Sequence, residues 1–229
     1  MGRQPTPRIG AVAAVALGGA AVVAALFAAA TFAINGPHQT VPVDQRAAKA
    51  AVIHLGDLNN SSAWKGGPHA PDNSEWPSCG GYTPSFSHLV VTDDALSLFS
   101  GGGEIGSEAT IYQTAQFAQA AWDQVHAPRP GYLRCHFSTD GVTKGEKANK
   151  VEMLPVKIGS RSDFVRESTV GSSPLRFVGD LVFFGQGRCN GLFVFGTANS
   201  TALANAAYAD RARQLAALMM KRLRRSGRC

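Results

Sequence analysis

The sequence predicts an α+β domain, with an antiparallel sheet flanked by helices as an αβα sandwich, behind an N-terminal transmembrane or signal helix. Three observations support this prediction. The stretch Ile9–Ile34 contains no charged residue. Farther along, strand-like segments follow one another without crossover helices, which favours antiparallel pairing. Amphipathic helical patterns begin near residue 44, after residue 114 and after residue 200, where they can cover the sheet.

The apolar stretch 9–34 predicts a membrane segment. As a helix rising ~1.5 Å per residue it would be about 39 Å long, more than the ~30 Å hydrocarbon core requires. Arg3 and Arg8 precede it and Asp44 is the first charge after it, which predicts the N-terminus inside. The alternative is a cleavable signal peptide, since Ala28–Ala30 and Thr31–Ala33 both offer small residues before a cut. The chain is therefore expected in the cell membrane as a single-pass protein with its domain outside, or secreted.

This interpretation divides the chain into four parts. Residues 1–34 are the anchor or signal segment, 35–43 a linker, 44–225 the extracytoplasmic domain and 226–229 a basic tail. No cysteine lies near the end of the apolar segment, so a lipoprotein-type anchor is excluded.

The first half of the domain mixes helix, loop and strand. Asp44 is a good N-cap for a helix that runs to about Leu55 and ends at Gly56. Asn, Ser, Gly and Pro clusters predict a long loop over 57–81. His88–Thr92 is typical of a short strand.

In the middle of the domain, the residue pattern distinguishes strand, turn and helix more clearly. Gly101–Gly103 predicts a turn, and Ile105–Gln113 has the period-2 pattern of a strand. Thr114 caps a predicted helix that ends near Val125. A strand is predicted at Leu133–Phe137.

The second half predicts four strands joined by turns, and then a helix. The last two strands are the most apolar, and Gln186–Asn190 between them is predicted to be a hairpin loop. Ser200 or Thr201 is predicted to open the terminal helix. The four predicted strands are Val151–Ile158, Asp163–Val170, Arg176–Gly185 and Gly191–Thr197.

The charge is unevenly distributed. The formal net charge is +6, but the basic excess is concentrated before residue 9 and after residue 210. The positive net charge therefore reflects the two ends of the chain and does not indicate a nucleic-acid-binding face. No nucleic acid partner is expected. Cations also suit a helix C-terminus. The functional interpretation is contact with anionic lipid head groups or wall polymers, through Lys221, Arg222, Arg224, Arg225 and Arg228.

Several local patterns resemble those of exported actinobacterial sensor-like domains. The patterns are Leu55-Gly56-Asp57-Leu58 followed by Trp64, Cys79 before a strand, Ser107-Glu108-Ala109, Tyr112-Gln113-Thr114-Ala115 leading to Trp122, and Leu133-Arg134-Cys135. This family includes the extracellular domains of some bacterial serine/threonine kinases and related lipoproteins with a PsbP-like αβα fold. The resemblance covers roughly residues 44–225. It implies a role in sensing a ligand or partner, without catalysis.

The cysteines of an exported chain are first of all disulfide candidates. The preferred bridge is Cys79–Cys135, which would tie the long loop to the strand after the Trp122 helix. Cys189 and Cys229 could pair with each other, cross-link to a partner or stay free. We expect Cys79→Ser to destabilise the domain and Cys229→Ser to leave it unchanged.

The sequence gives little support for catalysis, a metal or a cofactor. Gly101–Gly106 has the letters of a dinucleotide fingerprint, but a strand follows it where a helix is needed. The histidines never stand at i, i+4 on one predicted helix, so no metal site is expected. Asp93-Asp94 is interpreted as two solvated acids in a loop, and Glu104 and Glu108 as solvated charges beside a turn. The chain is therefore not expected to be an enzyme.

Trp64, Trp76 and Tyr82 form the candidate ligand loop, since exposed aromatics can stack on sugars or contact lipid. The alternative is that they fasten the loop to the sheet. The leading hypothesis is a membrane-tethered or secreted extracytoplasmic ligand-binding or sensor-like domain that contacts an unknown envelope ligand or protein. The alternative is a structural or interaction protein of the cell envelope that uses its basic tail.

Overall fold

An antiparallel sheet of seven strands runs through the described part of the chain. The structure is a computed structural model that describes residues 36–70, 78–79, 81–126, 133, 150–168, 177–198 and 202–229, with the backbone alone at 177, 198 and 202–205. The strands are β1 (Lys65–His69), β2 (Val91–Ser100), β3 (Glu104–Tyr112), β4 (Lys150–Leu154), β5 (Arg161–Ser168), β6 (Phe177–Gln186) and β7 (Cys189–Ala198). Their order in the sheet is β1-β2-β3-β7-β6-β5-β4, and each neighbouring pair is antiparallel.

Helices cover both faces of this sheet. Helices α1 (Pro42–Ala51) and α3 (Ala202–Arg225) share one hydrophobic cluster with the face that carries Ile111 and Phe184. Helix α2 (Ala115–His126) packs on the opposite face. The predicted α+β class, an antiparallel sheet flanked by helices, is thus confirmed.

The second half of the domain follows the sequence prediction closely. Strands β4 to β7 form a meander, and β7 pairs with β3 at the centre of the sheet, where Ile111 lies opposite Cys189. The turn between β6 and β7 consists of Gly187 and Arg188. Gly187 has φ +51°, a backbone conformation that favours glycine.

The first half requires corrections. Helix α1 begins at Pro42, with Val41 as its N-cap, so Asp44 is not the cap but a buried residue of the first turn. Gly56 lies within a 3₁₀ turn, Leu55–Asp57, and does not end α1. Part of the predicted loop is strand β1. Because Pro is tolerated on edge strands, and because Gly66 adopts φ +140°, a Gly-Gly-Pro sequence can form this edge.

Strand β2 begins later and runs farther than predicted, through residues 93 and 94. The Gly101–Gly103 turn and the strand after it are confirmed, and the hairpin pairs Ser100 with Glu104. Thr114 caps α2 as predicted, since the Phe117 N–H donates to its Oγ1 at 3.1 Å. Of the predicted strand 133–137 only Leu133 is described, and it is helical and buried.

The predicted membrane segment, residues 9–34, lies outside the described residues. Among the helices that the structure does describe, none combines the length and apolar character of a membrane span. The position of the segment therefore remains a prediction.

Candidate functional site

A groove lies between the C-terminal half of α3 and the segment that joins β4 to β5. Its volume is about 430 Å³. Its lining combines cations with small or apolar groups and includes no acidic residue. The lining residues are Lys157, Ile158, Gly159, Ala217, Met220, Lys221, Arg224 and Arg225.

Four cations surround the groove. Lys221, Arg224 and Arg225 stand at i, i+3 and i+4 of α3, a spacing that places side chains on one helix face. Lys157 comes from the β4–β5 segment. All four side chains are exposed, and the Arg224 Nε donates to Gln186 Oε1 at 2.7 Å. The groove can therefore hold an anionic group by charge and hydrogen bonding.

The floor of the groove is apolar. Ile158 and Met220 are 7% and 2% exposed. The Met220 methyl group packs against Gly159, where an added Cβ would lie 3.2 Å from it and 2.4 Å from the Gly185 carbonyl oxygen. Gly159 also has φ +75°, so glycine is required for both space and backbone conformation.

Backbone contacts fix the β4–β5 segment against the sheet and α3. The Ser160 N–H donates to the Gly185 carbonyl at 2.9 Å, and Gly159 forms a parallel bridge with Gly185. Arg213 of α3 donates from Nε to the Pro155 carbonyl at 3.1 Å. Because both ends of the segment are held, Lys157 stands opposite α3 in a defined position.

Two cations of the predicted anionic-surface set lie elsewhere. Arg222 forms a bidentate pair with Asp57, with N–O distances of 2.8 and 2.6 Å, and also donates to the Val52 carbonyl. These contacts join α3 to the turn after α1. Arg228 donates to Asp44. The structure therefore brings Lys221, Arg224 and Arg225 together and separates Arg222 and Arg228 from them.

Asp44 is the centre of a polar cluster that we call the Asp44 clasp, formed by Asp44, Thr92, Arg188 and Arg228. The fully buried Asp44 carboxylate accepts hydrogen bonds from Thr92 and Arg188, each at 2.7 Å, and from Arg228. Burial opposes ionisation, but the hydrogen bonds from Arg228, Thr92 and Arg188 outweigh it and lower the pKa of Asp44 below 3.8. The clasp joins α1, β2, the β6–β7 turn and the residues after α3.

A disulfide reinforces this end of the molecule. Cys189 and Cys229 are bonded, with a Cα–Cα distance of 5.5 Å. Of the outcomes that the sequence left open for these two cysteines, the structure shows pairing with each other. Residues 226–229, predicted as a basic tail, are thereby held against the domain. Cys79 is also disulfide-bonded, but Cys135 lies outside the described residues, so the Cys79–Cys135 pairing stays a prediction.

The candidate ligand loop is divided between the two faces of the sheet. Trp64 packs on the α1–α3 side, above Gly101. Tyr82 packs on the α2 side, where its hydroxyl donates to the Gln124 carbonyl at 2.8 Å. Trp76 lies outside the described residues. Trp64 and Tyr82 therefore do not form one aromatic surface.

Two of the four acidic residues that the sequence interpretation treats as solvated, Asp93 and Glu108, are buried. Asp93 and Asp94 lie in β2, not in a loop, and as consecutive strand residues they point to opposite faces. Asp93 is 8% exposed, and burial raises its pKa. Glu104 and Glu108 share a face of β3 but stand about 13 Å apart along it. Glu108 is buried rather than solvated, and the Thr110 hydroxyl donates to it.

One histidine on the α2 side makes specific contacts. His126 Nδ1 lies 2.6 Å from Asp163 Oδ2, and its ring stacks on Trp122 at 3.9 Å between centroids. Burial lowers the pKa of His126 below 6.5, although Asp163 acts in the opposite direction. Its Nε2 is buried, and no described polar atom lies within hydrogen-bond distance.

No group of three or more potential metal ligands comes together within the described ranges. The residue that sequence reasoning missed is Lys157, because nothing in the sequence indicates that the β4–β5 segment meets α3. The i, i+3, i+4 spacing of Lys221, Arg224 and Arg225 was the available signal that these three cations act together.

Comparison with known proteins gives one structural likeness. No protein-family model matches the chain. No curated protein matches it either. Among solved structures, the chain is similar to the extracellular domain of PknH from Mycobacterium tuberculosis, with 12% identity and a TM-score of 0.37. The match covers 59% of this chain and 66% of that one, just under two thirds of the length of the PknH chain.

Proposed function

We propose that this chain is an exported, non-catalytic binding domain whose groove between the β4–β5 segment and α3 takes an anionic ligand. The observation that carries the proposal is the convergence of four cations from two segments on an apolar concave floor. Like charges gathered on one surface repel one another, and an anion removes that cost. The favourable interaction of cations with a helix C-terminus explains the cations on α3, but it does not explain Lys157 on the facing segment.

Two features support export. The Cys189–Cys229 disulfide is of the kind that persists in oxidising compartments. The sequence adds the uncharged stretch 9–34, with arginines on its N-terminal side.

Binding without catalysis fits the chemistry of the lining. Ammonium and guanidinium groups hold an anion, while the remaining lining groups are aliphatic, thioether or glycine. The described lining residues include no carboxylate, imidazole, hydroxyl or thiol group beside these cations.

The alternative is a structural or interaction protein of the cell envelope that uses its basic tail, with Cys229 as a second means of attachment. The bond between Cys189 and Cys229 occupies that thiol. The binding-domain proposal does not depend on a free thiol.

The test uses the full chain in nanodiscs of phosphatidylcholine, labelled with ¹³C at its methionine methyl groups and titrated with inorganic pyrophosphate. The Met220 methyl packs in the groove, so its NMR signal should shift with saturable binding. Met219, which is fully buried on the same helix, should not respond. Replacing Lys221, Arg224 and Arg225 by Gln should abolish the Met220 shift.

A matched variant removes the same number of charges elsewhere. Lys49, Lys65 and Lys150 are exposed and lie away from the groove, and their triple replacement by Gln should leave pyrophosphate binding unchanged. Equal loss in both variants would show a general charge effect and would count against the site. No Met220 shift in the unaltered chain would overturn the proposal.

A further inference from the structure

The groove lies at the end of the sheet where the chain enters the domain. His38 forms a parallel bridge with Val91, the first residue of β2, and the Gln39 N–H donates to the Val91 carbonyl at 2.9 Å. Val91 pairs with Tyr112, whose N–H donates to the Arg188 carbonyl at 2.9 Å. The entry point and the β6–β7 turn therefore occupy the same end of the sheet, which we call the tether end.

Contacts from the end of α3 place the groove there as well. Arg224, which lines the groove, donates to Gln186, the residue before the β6–β7 turn. Gly159 of the groove bridges to Gly185 on the same strand. Across the sheet, the path from β2 through β3 and β7 to β6 spans about 14 Å, at ~4.8 Å per strand.

The predicted membrane segment ends close to this point. Its last residue is Ile34, and only residues 35–37 separate it from His38. At no more than ~3.6 Å per residue, His38 lies within about 15 Å of the end of the segment. If residues 9–34 span the membrane, this short connection places the tether end and its groove next to the lipid head groups.

Among the cations at the tether end, those that line the groove are the ones available for binding an anion. Arg188 and Arg228 also lie there, but the Asp44 carboxylate takes both of them as partners. Among the described residues, no carboxylate forms an ion pair with Lys157, Lys221 or Arg225, and these three cations flank an apolar floor. A phospholipid is complementary to this arrangement, because its anionic phosphate group is followed by glycerol and an apolar acyl chain.

We infer that the groove binds the head groups of anionic phospholipids in the outer leaflet of the membrane that holds residues 9–34, and so seats the domain on that membrane by its tether end. The inference rests on the proposed function, because it requires export and an anion-binding groove. It adds the ligand, a phosphodiester lipid, and the orientation of the domain.

The experiment uses the full chain in nanodiscs of phosphatidylcholine alone or enriched in phosphatidylglycerol, each with a trace of lipid that carries a gadolinium chelate on its head group. In the anionic nanodiscs the Met220 methyl signal should be strongly broadened. The methyl of Met153, on edge strand β4 and 44% exposed, should be broadened less. In phosphatidylcholine alone both signals should be sharper.

The variants measure how much the groove contributes. A basic residue near an anionic surface strengthens binding about fivefold, so replacing Lys221, Arg224 and Arg225 by Gln should weaken docking about a hundredfold. The Lys49, Lys65 and Lys150 variant should dock like the unaltered chain. The Met219 signal reports whether each variant remains folded, and single Lys221→Gln provides a milder test.

The outcomes separate the two proposals. If Met220 responds to pyrophosphate but not to phosphatidylglycerol, the lipid inference is overturned and the anion-binding proposal stands. If an anionic wall polymer shifts Met220 and the lipid does not, the inference is likewise overturned. If neither pyrophosphate nor lipid affects Met220, both proposals are overturned.

Discussion

At the scale of single residues, Asp44 connects segments that lie far apart in the sequence. It lies in the first turn of α1 and accepts hydrogen bonds from Thr92, Arg188 and Arg228. Its position was predictable as a helix start, because an acidic residue suits either an N-cap or a first turn. Its burial was not predictable, since the arginines that compensate it are more than a hundred residues away.

Asp44→Asn should lower the free energy of unfolding by about 3 kcal/mol, because it leaves two arginines near a buried site without their carboxylate. Urea unfolding followed by circular dichroism measures this change. Asp210→Asn is the matched control, since Asp210 is largely exposed and pairs only locally with Arg213. It should cost at most about 0.5 kcal/mol. Similar losses in the two variants would contradict the role of the Asp44 clasp.

The buried His126 predicts a pH dependence of stability. Because burial lowers its folded-state pKa below 6.5, the unfolded chain takes up a proton first as the pH falls. Stability should therefore be complete above about pH 6.5 and should decrease below it, by up to about 1.4 kcal/mol per pH unit.

Urea unfolding of the chain and of His126→Phe between about pH 8 and pH 5 tests this dependence. The phenylalanine ring can still stack on Trp122 but cannot titrate, so the variant should show a flatter profile. Parallel profiles for the two proteins would show that another group is responsible.

At the scale of elements, prediction succeeded where hydrophobicity was continuous and failed where glycine or acids interrupted it. Strands β6 and β7 were predicted because their apolar runs are long, as expected for central strands covered on both faces. Strand β1 was assigned to a loop because its Gly66-Gly67-Pro68 sequence is typical of turns. The predicted strand His88–Thr92 stops too early, just before Asp93, because the sequence does not indicate that Asp93 is buried.

The candidate groove could be predicted only in part, because its lining depends on contacts between segments that are distant in sequence. The basic residues near the end of α3 were recognised as a set, but packing decided which of them converge. Arg222 turns to Asp57, whereas Lys221, Arg224 and Arg225 face the β4–β5 segment. Contacts between segments distant in sequence cannot be derived from local patterns.

The edge strand β1 offers a matched pair of glycine substitutions. An alanine Cβ at Gly66 would lie 2.0 Å from the Leu98 carbonyl oxygen, in a backbone conformation that disfavours L side chains, whereas no atom lies within 4 Å of one at Gly67. Gly66→Ala should therefore lower the free energy of unfolding by more than about 1 kcal/mol. Gly67→Ala should leave it unchanged or raise it by up to about 1 kcal/mol. Thermal unfolding measures both, and equal effects would contradict the β1–β2 pairing.

At the scale of the whole molecule, the Cys189–Cys229 bridge joins the residues after α3 to the central strand β7. Its sequence separation of 40 residues predicts a contribution of about 3–4 kcal/mol to stability. The expectation that Cys229→Ser leaves the domain unchanged is therefore replaced by the opposite one.

Cys229→Ser should lower the free energy of unfolding by about 3 kcal/mol under oxidising conditions. Urea unfolding with and without reductant provides the measurement, since reductant should remove most of the difference between Cys229→Ser and the unaltered chain. Cys189→Ser/Cys229→Ser should match the single variant. An undiminished stability of Cys229→Ser would show that the bridge does not constrain the unfolded chain.

The pairing of β3 with β7 also has a consequence for the order in which the chain can fold. These neighbours are contributed by the early and late parts of the sequence, with α2, β4, β5 and β6 between them. Because synthesis proceeds from the N-terminus, β1, β2 and β3 are complete while one side of β3 is still uncovered. An uncovered strand side is a template for pairing with other chains, and the non-local pairing of β3 with β7 is expected to be slow. The yield of folded protein should therefore depend on how quickly β7 is synthesised after β3.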